Sequence, residues 1–502
     1  MSILSVIKKL FGMGDDAVDH SKQVPQSQQT DAVSTSRTAA KVAEEVTEEK
    51  AVDSNVVESN EVEETVEKEE SSPSTMNSEN QSTTYAIIGA GPSGVIAAET
   101  IRSSDPDASI TIIGNEPIPP YSRMAIPYYL IEDIDEEGTY LRSADYYDDN
   151  NIKYLGHAVT NIDTDLKELT LDDKDKISYK KLLIAAGSKP LLPPIEGADL
   201  PSVHTCWTLE DARQIAARAT NCKNVILMGA GFIGCIILEA LAKRGVNLTV
   251  IEMGDRMVPR MLDEKAGGLL KKWCIEKGID VRTSTRVNAI HGEDGDMDVE
   301  LDSGETLHAC IVISATGVKP NVEFLEGSGV EVDHGIIIND KMETNVSSVY
   351  AAGDIAQGKD FSTGEYTVQA IQPTATDHGR IAGLNMTGHS VEHQGSTNMN
   401  VLDTVGLISH SFGLWMGVEG GDSVDIYNPD DYKYLNLRFG VDDEEDVLVG
   451  VSTLGMTQHI GVIRGLIESK VHLKEWKERL MQDPTRLMEA YLSSTQELDN
   501  AV

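Results

Sequence analysis

The run Gly-x-Gly-x-x-Gly occurs twice in this chain of 502 residues, beginning at Gly89 and again at Gly229, 140 residues later. Each run comes after a short apolar strand, Tyr85–Ile88 and Val225–Met228, and opens a helix that leads to another strand. In such a unit the first glycine permits a tight turn. The second removes a side chain where the backbone must approach a pyrophosphate, and the third lets the helix close on the strand. The free amides and positive end of the helix then face the phosphates. Two such units predict two doubly wound parallel sheets of Rossmann type, each able to bind a dinucleotide.

The residues downstream of each glycine run sharpen this reading. Gly89-Ala90-Gly91-Pro92-Ser93-Gly94 leads through a helix over Val95–Ile101 and a strand over Ser109–Ile113 to Glu116. A carboxylate there can accept hydrogen bonds from a ribose diol. Gly229-Ala230-Gly231-Phe232-Ile233-Gly234 leads through a helix to Arg244, a Gly245 C-cap and a strand over Asn247–Ile251 to Glu252. Glu252 would also repel a 2′-phosphate, so NADH is expected over NADPH. Arg256, four residues on, softens that preference, since a guanidinium could meet a phosphate. Glycine-rich turns also occur purely for packing. The strand before and the acid after, twice in order, make nucleotide binding the stronger reading.

These residues resemble the pyridine nucleotide-disulphide oxidoreductase family, in the branch of rubredoxin and ferredoxin reductases, NADH oxidases and coenzyme A disulphide reductases. The likeness runs from about Thr84 to the C-terminus. Beyond the glycine runs it rests on Ala185-Ala186-Gly187, on Ala315-Thr316-Gly317, and most on Thr344-Asn345-Val346-Ser347-Ser348-Val349-Tyr350-Ala351-Ala352-Gly353-Asp354. The resemblance implies that FAD occupies the first unit and NADH the second. Gly187, Gly353 and Asp354 would join the FAD site, with Asp354 on the ribityl chain, and Gly317 would close the NAD site. It also implies a layout of FAD-binding residues 83–205 and 324–395, an inserted NAD(P)-binding domain over 206–323, and a C-terminal α+β interface domain over 396–502 that makes a homodimer. Hydride would pass from NADH to the flavin and electrons onward to an acceptor, with no general base demanded.

The family pattern is broken at two places. Tyr121-Ser122-Arg123-Met124-Ala125-Ile126-Pro127-Tyr128 resembles the segment that carries the redox cysteine in coenzyme A disulphide reductases, with Met124 in the cysteine's position. A thioether forms no thiolate, which turns the reading away from disulphide or peroxide reduction. The bland role for Met124 is core filling under the flavin. Arg123 remains, and the resemblance gives it a cofactor contact. On the nicotinamide side relatives often place a glutamate two residues after the last glycine, whereas here Ile236 stands there and the acid falls at Glu239. Cys235 reads as a small packing residue.

Composition bounds the rest. A formal charge of −40 repels phosphate polymers, so no nucleic-acid partner is expected. Five cysteines without metal-ligand spacing fit a reducing cytoplasm. The pair His389 and His393 lacks a third ligand, so no metal site is expected. No apolar run reaches the roughly 18 residues of a membrane span. Residues 1–13 place Ile3, Leu4, Ile7, Leu10 and Phe11 on one helical face opposite Lys8 and Lys9. That segment is either a reversible docking helix for a membrane surface or partner, or a frayed terminus. Residues 14–82, rich in Glu, Ser, Thr and Gln, read as a disordered acidic linker.

The leading expectation is therefore an FAD-dependent NAD(P)H oxidoreductase that delivers electrons to an external acceptor: a small electron-transfer protein, oxygen or a quinone. The alternatives are a disulphide reductase drawing on Cys206 or Cys310, and a tethered flavoprotein within a larger redox assembly. Iron–sulphur or sirohaem cysteines do not come after the flavin segments, which separates the chain from the full nitrite reductase large subunit.

Overall fold

A computed structural model describes residues 81–219 and 222–499. The expected terminal helix over 1–13 and nearly all of the expected linker over 14–82 lie outside these residues. The first strand begins at Gln81, so the last two residues assigned to the linker are part of a sheet.

Three sheets organise the described chain. The first runs in the order Ile152–Gly156, Ile110–Gly114, Gln81–Ile88, Lys176–Ile184, and its outer strands Glu168–Leu171 and Val159–Asp163 turn antiparallel. Val349–Ala351 returns from far along the chain to pair in parallel with the end of Lys176–Ile184, Val349 opposite Leu182. The central strands become apolar and buried toward their C-terminal ends, at Tyr85–Ile88 and Leu182–Ile184. Ile87, Ile112 and Leu183 are completely enclosed.

The second sheet is wholly parallel, in the order Asp280–Arg282, Asn247–Ile251, Asn224–Met228, Ile311–Ser314, Val203–Thr205. Val203–Thr205, which a division after residue 205 leaves with the first part of the chain, belongs by its pairing to this second sheet. A three-stranded antiparallel sheet over residues 287–309 packs beside it.

The third sheet is antiparallel, in the order Met399–Thr404, Leu407–Gly413, Leu448–Leu454, Lys433–Phe439, Ser423–Asn428. Its alternating pattern puts Leu435, Leu437 and Phe439 into a core closed by the helices Ile460–Glu468, Glu475–Gln482 and Leu487–Asp499. The opposite face carries Tyr434, whose hydroxyl bonds Asp263, the N-cap of the helix Glu264–Glu276. Trp273 on that helix donates to the Val405 carbonyl at 3.2 Å, so the second and third sheets share one continuous core.

The cysteines do not all remain free as their number and spacing suggested. Cys222 and Cys310, at the starts of two adjacent strands of the second sheet, form a disulfide with Cα atoms 5.7 Å apart. Two residues 88 apart in sequence become neighbours only because parallel pairing brings strand starts together, which spacing rules cannot see. Cys310 is thereby removed from the candidates for a redox thiol. No helix among the described residues is long and apolar enough to cross a membrane.

Candidate functional site

The first glycine run lies at the end of Gln81–Ile88, where the chain turns into the helix Pro92–Ser104. Gly89 has φ +112°, and a Cβ there would strike the Ala185 carbonyl group. One on Gly94 would strike the Gly89 carbonyl oxygen, whereas one on Gly91 would meet nothing within 4 Å. The first and third glycines are thus demanded by the protein itself. In front of Gly91 the space is open. No side chain caps the helix, and Pro92 stands in its first turn, where a missing amide costs least. Ser93 is buried, with a hydroxyl that has no partner inside the protein.

The helix Gln372–Met386 packs against this one, and its Gly379 lets it close on the Ser93 carbonyl group. Gly353, at φ +78°, brings its own turn against Ser93 from a third direction. Asp354 is part-buried there. Burial pushes its carboxyl above the ordinary range, opposed by the charge of Arg123. Ser188 Oγ, just after Gly187, reaches the Asp354 carbonyl at 3.5 Å.

Glu116 sits at the rim of the same cleft. Its carboxylate accepts the Tyr121 hydroxyl at 2.9 Å and Arg123 Nη2 at 3.2 Å, and its carbonyl accepts Tyr154 Oη at 2.6 Å. Arg123 Nε donates to the Trp207 carbonyl at 3.0 Å. The structure thus brings Gly89, Gly91, Pro92, Ser93, Gly94, Glu116, Arg123, Gly187, Gly353 and Asp354 around one cleft.

The second run repeats the arrangement. A Cβ on Gly229 would press on the Ala315 carbonyl at 2.5 Å, and one on Gly234 would strike the Gly229 carbonyl, whereas Gly231 again faces open space. The helix Phe232–Lys243, led by Phe232 and Ile233, is likewise uncapped by any side chain. Glu252 accepts Ala230 N and Gly254 N, each at 2.7 Å, and so fixes the turn from the far side. Gly317, at φ +133°, accepts Leu191 N at 2.9 Å. Arg256 is engaged elsewhere, with Nε on the Leu262 carbonyl at 3.0 Å and Nη1 on Asp255 at 2.7 Å.

Several residues singled out in the sequence lie away from this chemistry. Glu239 accepts Val405 N at 3.1 Å and pairs with Lys243 at 2.8 Å, so it serves the contact with the third sheet. Met124 is 45% exposed on the protein surface. Cys206, Cys235 and Cys274 are buried thiols, and burial pushes Cys206 and Cys274 up to about 12. His393 pairs with Asp377 at 3.1 Å. Conversely, Tyr121, Ser188 and Trp207 belong to the cleft, yet no spacing in the sequence pointed to them.

A family model described as pyridine nucleotide-disulphide oxidoreductase matches residues 83–379. The chain belongs to this family. It is a flavin-dependent oxidoreductase whose cofactors are FAD and NADH. Among its relatives, the NADH-dependent phenylglyoxylate dehydrogenase subunit epsilon of Aromatoleum evansii is 30% identical over 416 residues, covering 82% of this chain and 98% of the relative. Rhodocoxin reductase of Rhodococcus erythropolis is 35% identical over 315 residues, 61% of this chain and 73% of the relative. The solved NAD-dependent persulfide reductase from A. fulgidus superposes with a TM-score of 0.73 at 29% identity, covering 78% of each chain. Putidaredoxin reductase in its covalent complex with putidaredoxin superposes with a TM-score of 0.75 at 23% identity, covering 83% of this chain and 100% of that one, a likeness of fold.

Both grooves fit the cofactors of the family. Each provides an uncapped helix N-terminus, a glycine facing open space and a carboxylate just past the next strand, and the first adds an orphan buried hydroxyl at Ser93.

Proposed function

We propose that this oxidoreductase takes hydride from NADH through its flavin and delivers electrons to a small external redox protein. The observation that carries this reading is the exposed Met124 in the position of the redox cysteine, with every remaining free thiol among the described residues buried. A thioether accepts no electrons from a reduced flavin and attacks no disulfide. FAD supplies the step between a two-electron donor and a one-electron acceptor. The chain's own residues bind and orient the two cofactors. In this reading the Gly91 and Gly231 turns receive the two pyrophosphates, Glu116 and Glu252 the riboses, and Asp354, with Gly187 and Gly353 around it, the ribityl chain. Gly317 closes the nicotinamide mouth. The parts of the chain divide as FAD-binding residues 83–205 and 324–395, save that Val203–Thr205 joins the NAD-binding sheet, NAD-binding residues 206–323, and a C-terminal interface over 396–502 that pairs two copies.

The relatives support an acceptor protein, since rhodocoxin reductase and several ferredoxin reductases are named for one. A second reading places the chain as a subunit of a larger dehydrogenase. It is favoured by the relative named as a subunit epsilon, which aligns over 98% of its own length.

Anaerobic NADH titration with stopped-flow mixing against ferredoxin-type proteins, quinones, oxygen and disulfides tests the proposal. Flavin bleaching by NADH, then fast reoxidation with a ferredoxin-type protein alone, is expected. Fast reoxidation by a disulfide substrate would overturn it. Co-purification of the native protein with a 2-oxoacid-oxidising partner would establish the second reading.

A further inference from the structure

Trp207 stands just after Val203–Thr205, the edge strand of the second sheet, and close before the helix Leu209–Ala219. Its amide donates to Asp211 Oδ2 at 2.9 Å, and the same carboxylate oxygen accepts Thr205 Oγ1 at 2.9 Å and Thr208 N at 3.0 Å. That carboxylate fixes the backbone of the segment, and with it the direction of the Trp207 carbonyl. Three contacts then tie this short segment to the first cleft. The Trp207 carbonyl accepts Arg123 Nε at 3.0 Å, the indole Nε1 donates to the Ser188 carbonyl at 3.1 Å, and Leu209 N donates to Tyr121 Oη at 3.2 Å.

The indole also presents its face to the Arg123 guanidinium, 5.3 Å from the ring centroid, with the Tyr121 ring at 5.8 Å. Arg123 is a long side chain, 38% exposed, and it forms an ion pair with Glu116 at 3.2 Å. An arginine this open keeps several rotamers unless something planar and something with a lone pair hold it. Trp207 offers both.

We propose that Trp207 is a positioning residue for flavin binding. Its ring and carbonyl hold the Arg123 guanidinium between Glu116 and the Ser188–Asp354 corner. The cation then stays beside two carboxylates that would otherwise repel a phosphate-bearing cofactor, and the NAD-side segment becomes part of the FAD cleft. This rests on the assignment of Glu116, Arg123 and Asp354 to the FAD site.

The test is a double-mutant cycle on FAD affinity, measured by flavin fluorescence as full-length apoprotein is titrated with FAD. Trp207→Leu, which keeps the main-chain carbonyl but loses the ring, is expected to weaken FAD binding about tenfold, and Trp207→Phe, which restores a ring face, should recover most of it. In an Arg123→Gln background, itself weakened to a similar degree, Trp207→Leu should add nothing further. Equal losses in both backgrounds, or no loss from Trp207→Leu, would overturn the proposal. Trp207→Met, which fills the volume without a ring, carries the same comparison should the leucine variant not fold. If Arg123→Gln and Glu116→Gln both leave FAD affinity unchanged, the site assignment itself has failed, whatever Trp207 does.

Discussion

A methyl group on Gly94 would run into the carbonyl oxygen of Gly89, whereas one on Gly91, between them, would meet nothing within 4 Å. The backbone at Gly91, φ −78° and ψ −177°, is also one that alanine adopts freely. Two neighbouring substitutions should therefore separate folding from binding. Gly94→Ala is expected to destabilise the protein by roughly 3 kcal/mol through a clash with backbone that cannot move aside. Gly91→Ala should leave the unfolding midpoint in place and weaken FAD about tenfold or more. Urea unfolding of the apoprotein beside an FAD titration reads both. A Gly91→Ala protein that binds FAD normally would show that the space is not the cofactor's.

The second groove makes a matching statement about the nicotinamide donor. In the proposed site Glu252, bonded to the turn amides of Ala230 and Gly254, stands at the ribose position, and Arg256 is held by the Leu262 carbonyl and Asp255. Glu252→Gln removes the charge and keeps an acceptor for the turn amides. The ratio of kcat/KM for NADPH over NADH is expected to rise about tenfold, roughly 1.4 kcal/mol of relieved repulsion. Steady-state kinetics with the two donors measures it, and an unchanged ratio would place the discrimination elsewhere.

The thiols should be silent. With Cys206 and Cys274 pushed up to about 12, only about one in ten thousand of either is ionised at pH 8. N-ethylmaleimide is expected to leave NADH turnover intact. In denaturant, Ellman titration should count three thiols before reduction and five after it. Met124→Cys should create one readily alkylated thiol on the folded protein, because that position is 45% exposed. Inhibition of the native enzyme by the reagent would reopen the disulfide reading.

His378 sets a pH dependence of stability. Its Nε2 lies 3.1 Å from Ser396 Oγ, and its ring packs edge-to-face on His393, 4.9 Å between centroids. Burial holds it neutral and lowers its pKa to about 3. The unfolded chain then binds the extra proton first, near pH 6.5, so this group's contribution is complete above that value and is lost as pH falls toward 3. Asp377, lowered to about 2 by His393 and Arg380, titrates below this window's upper part. Between pH 7 and 5 the wild type should lose about 2 kcal/mol more than His378→Gln. Urea unfolding at the two values decides, and parallel losses would remove His378 as the source.

Much of the fold was legible because the signals for it are local. A strand, a glycine turn and a helix lie within about thirty consecutive residues of a βαβ unit. The helix Phe232–Lys243 and the strand Asn247–Ile251 therefore fell where the pattern put them. Glu116 and Glu252 come just past the strands Ile110–Gly114 and Asn247–Ile251, where the pattern placed them. The roles of Tyr121, Ser188 and Trp207 were not legible, since they meet across as many as 88 residues through hydrogen bonds that leave no period in the sequence. Met124 was legible as a thioether in the cysteine's position, but its 45% exposure was not, because exposure depends on what the rest of the chain leaves uncovered. The cysteines misled for a related reason: Cys222 and Cys310 become partners only when Asn224–Met228 and Ile311–Ser314 lie side by side.

The sequence by itself determined that two nucleotide-binding units exist and that no cysteine stands at the flavin position, since backbone freedom at glycine and the chemistry of sulfur are properties of single residues. Tertiary structure alone decided that Glu239 turns away from the cofactors, that Arg256 is occupied, and that Trp207 grips Arg123. Each of those outcomes is a competition among partners, settled only once packing has chosen which groups lie within reach.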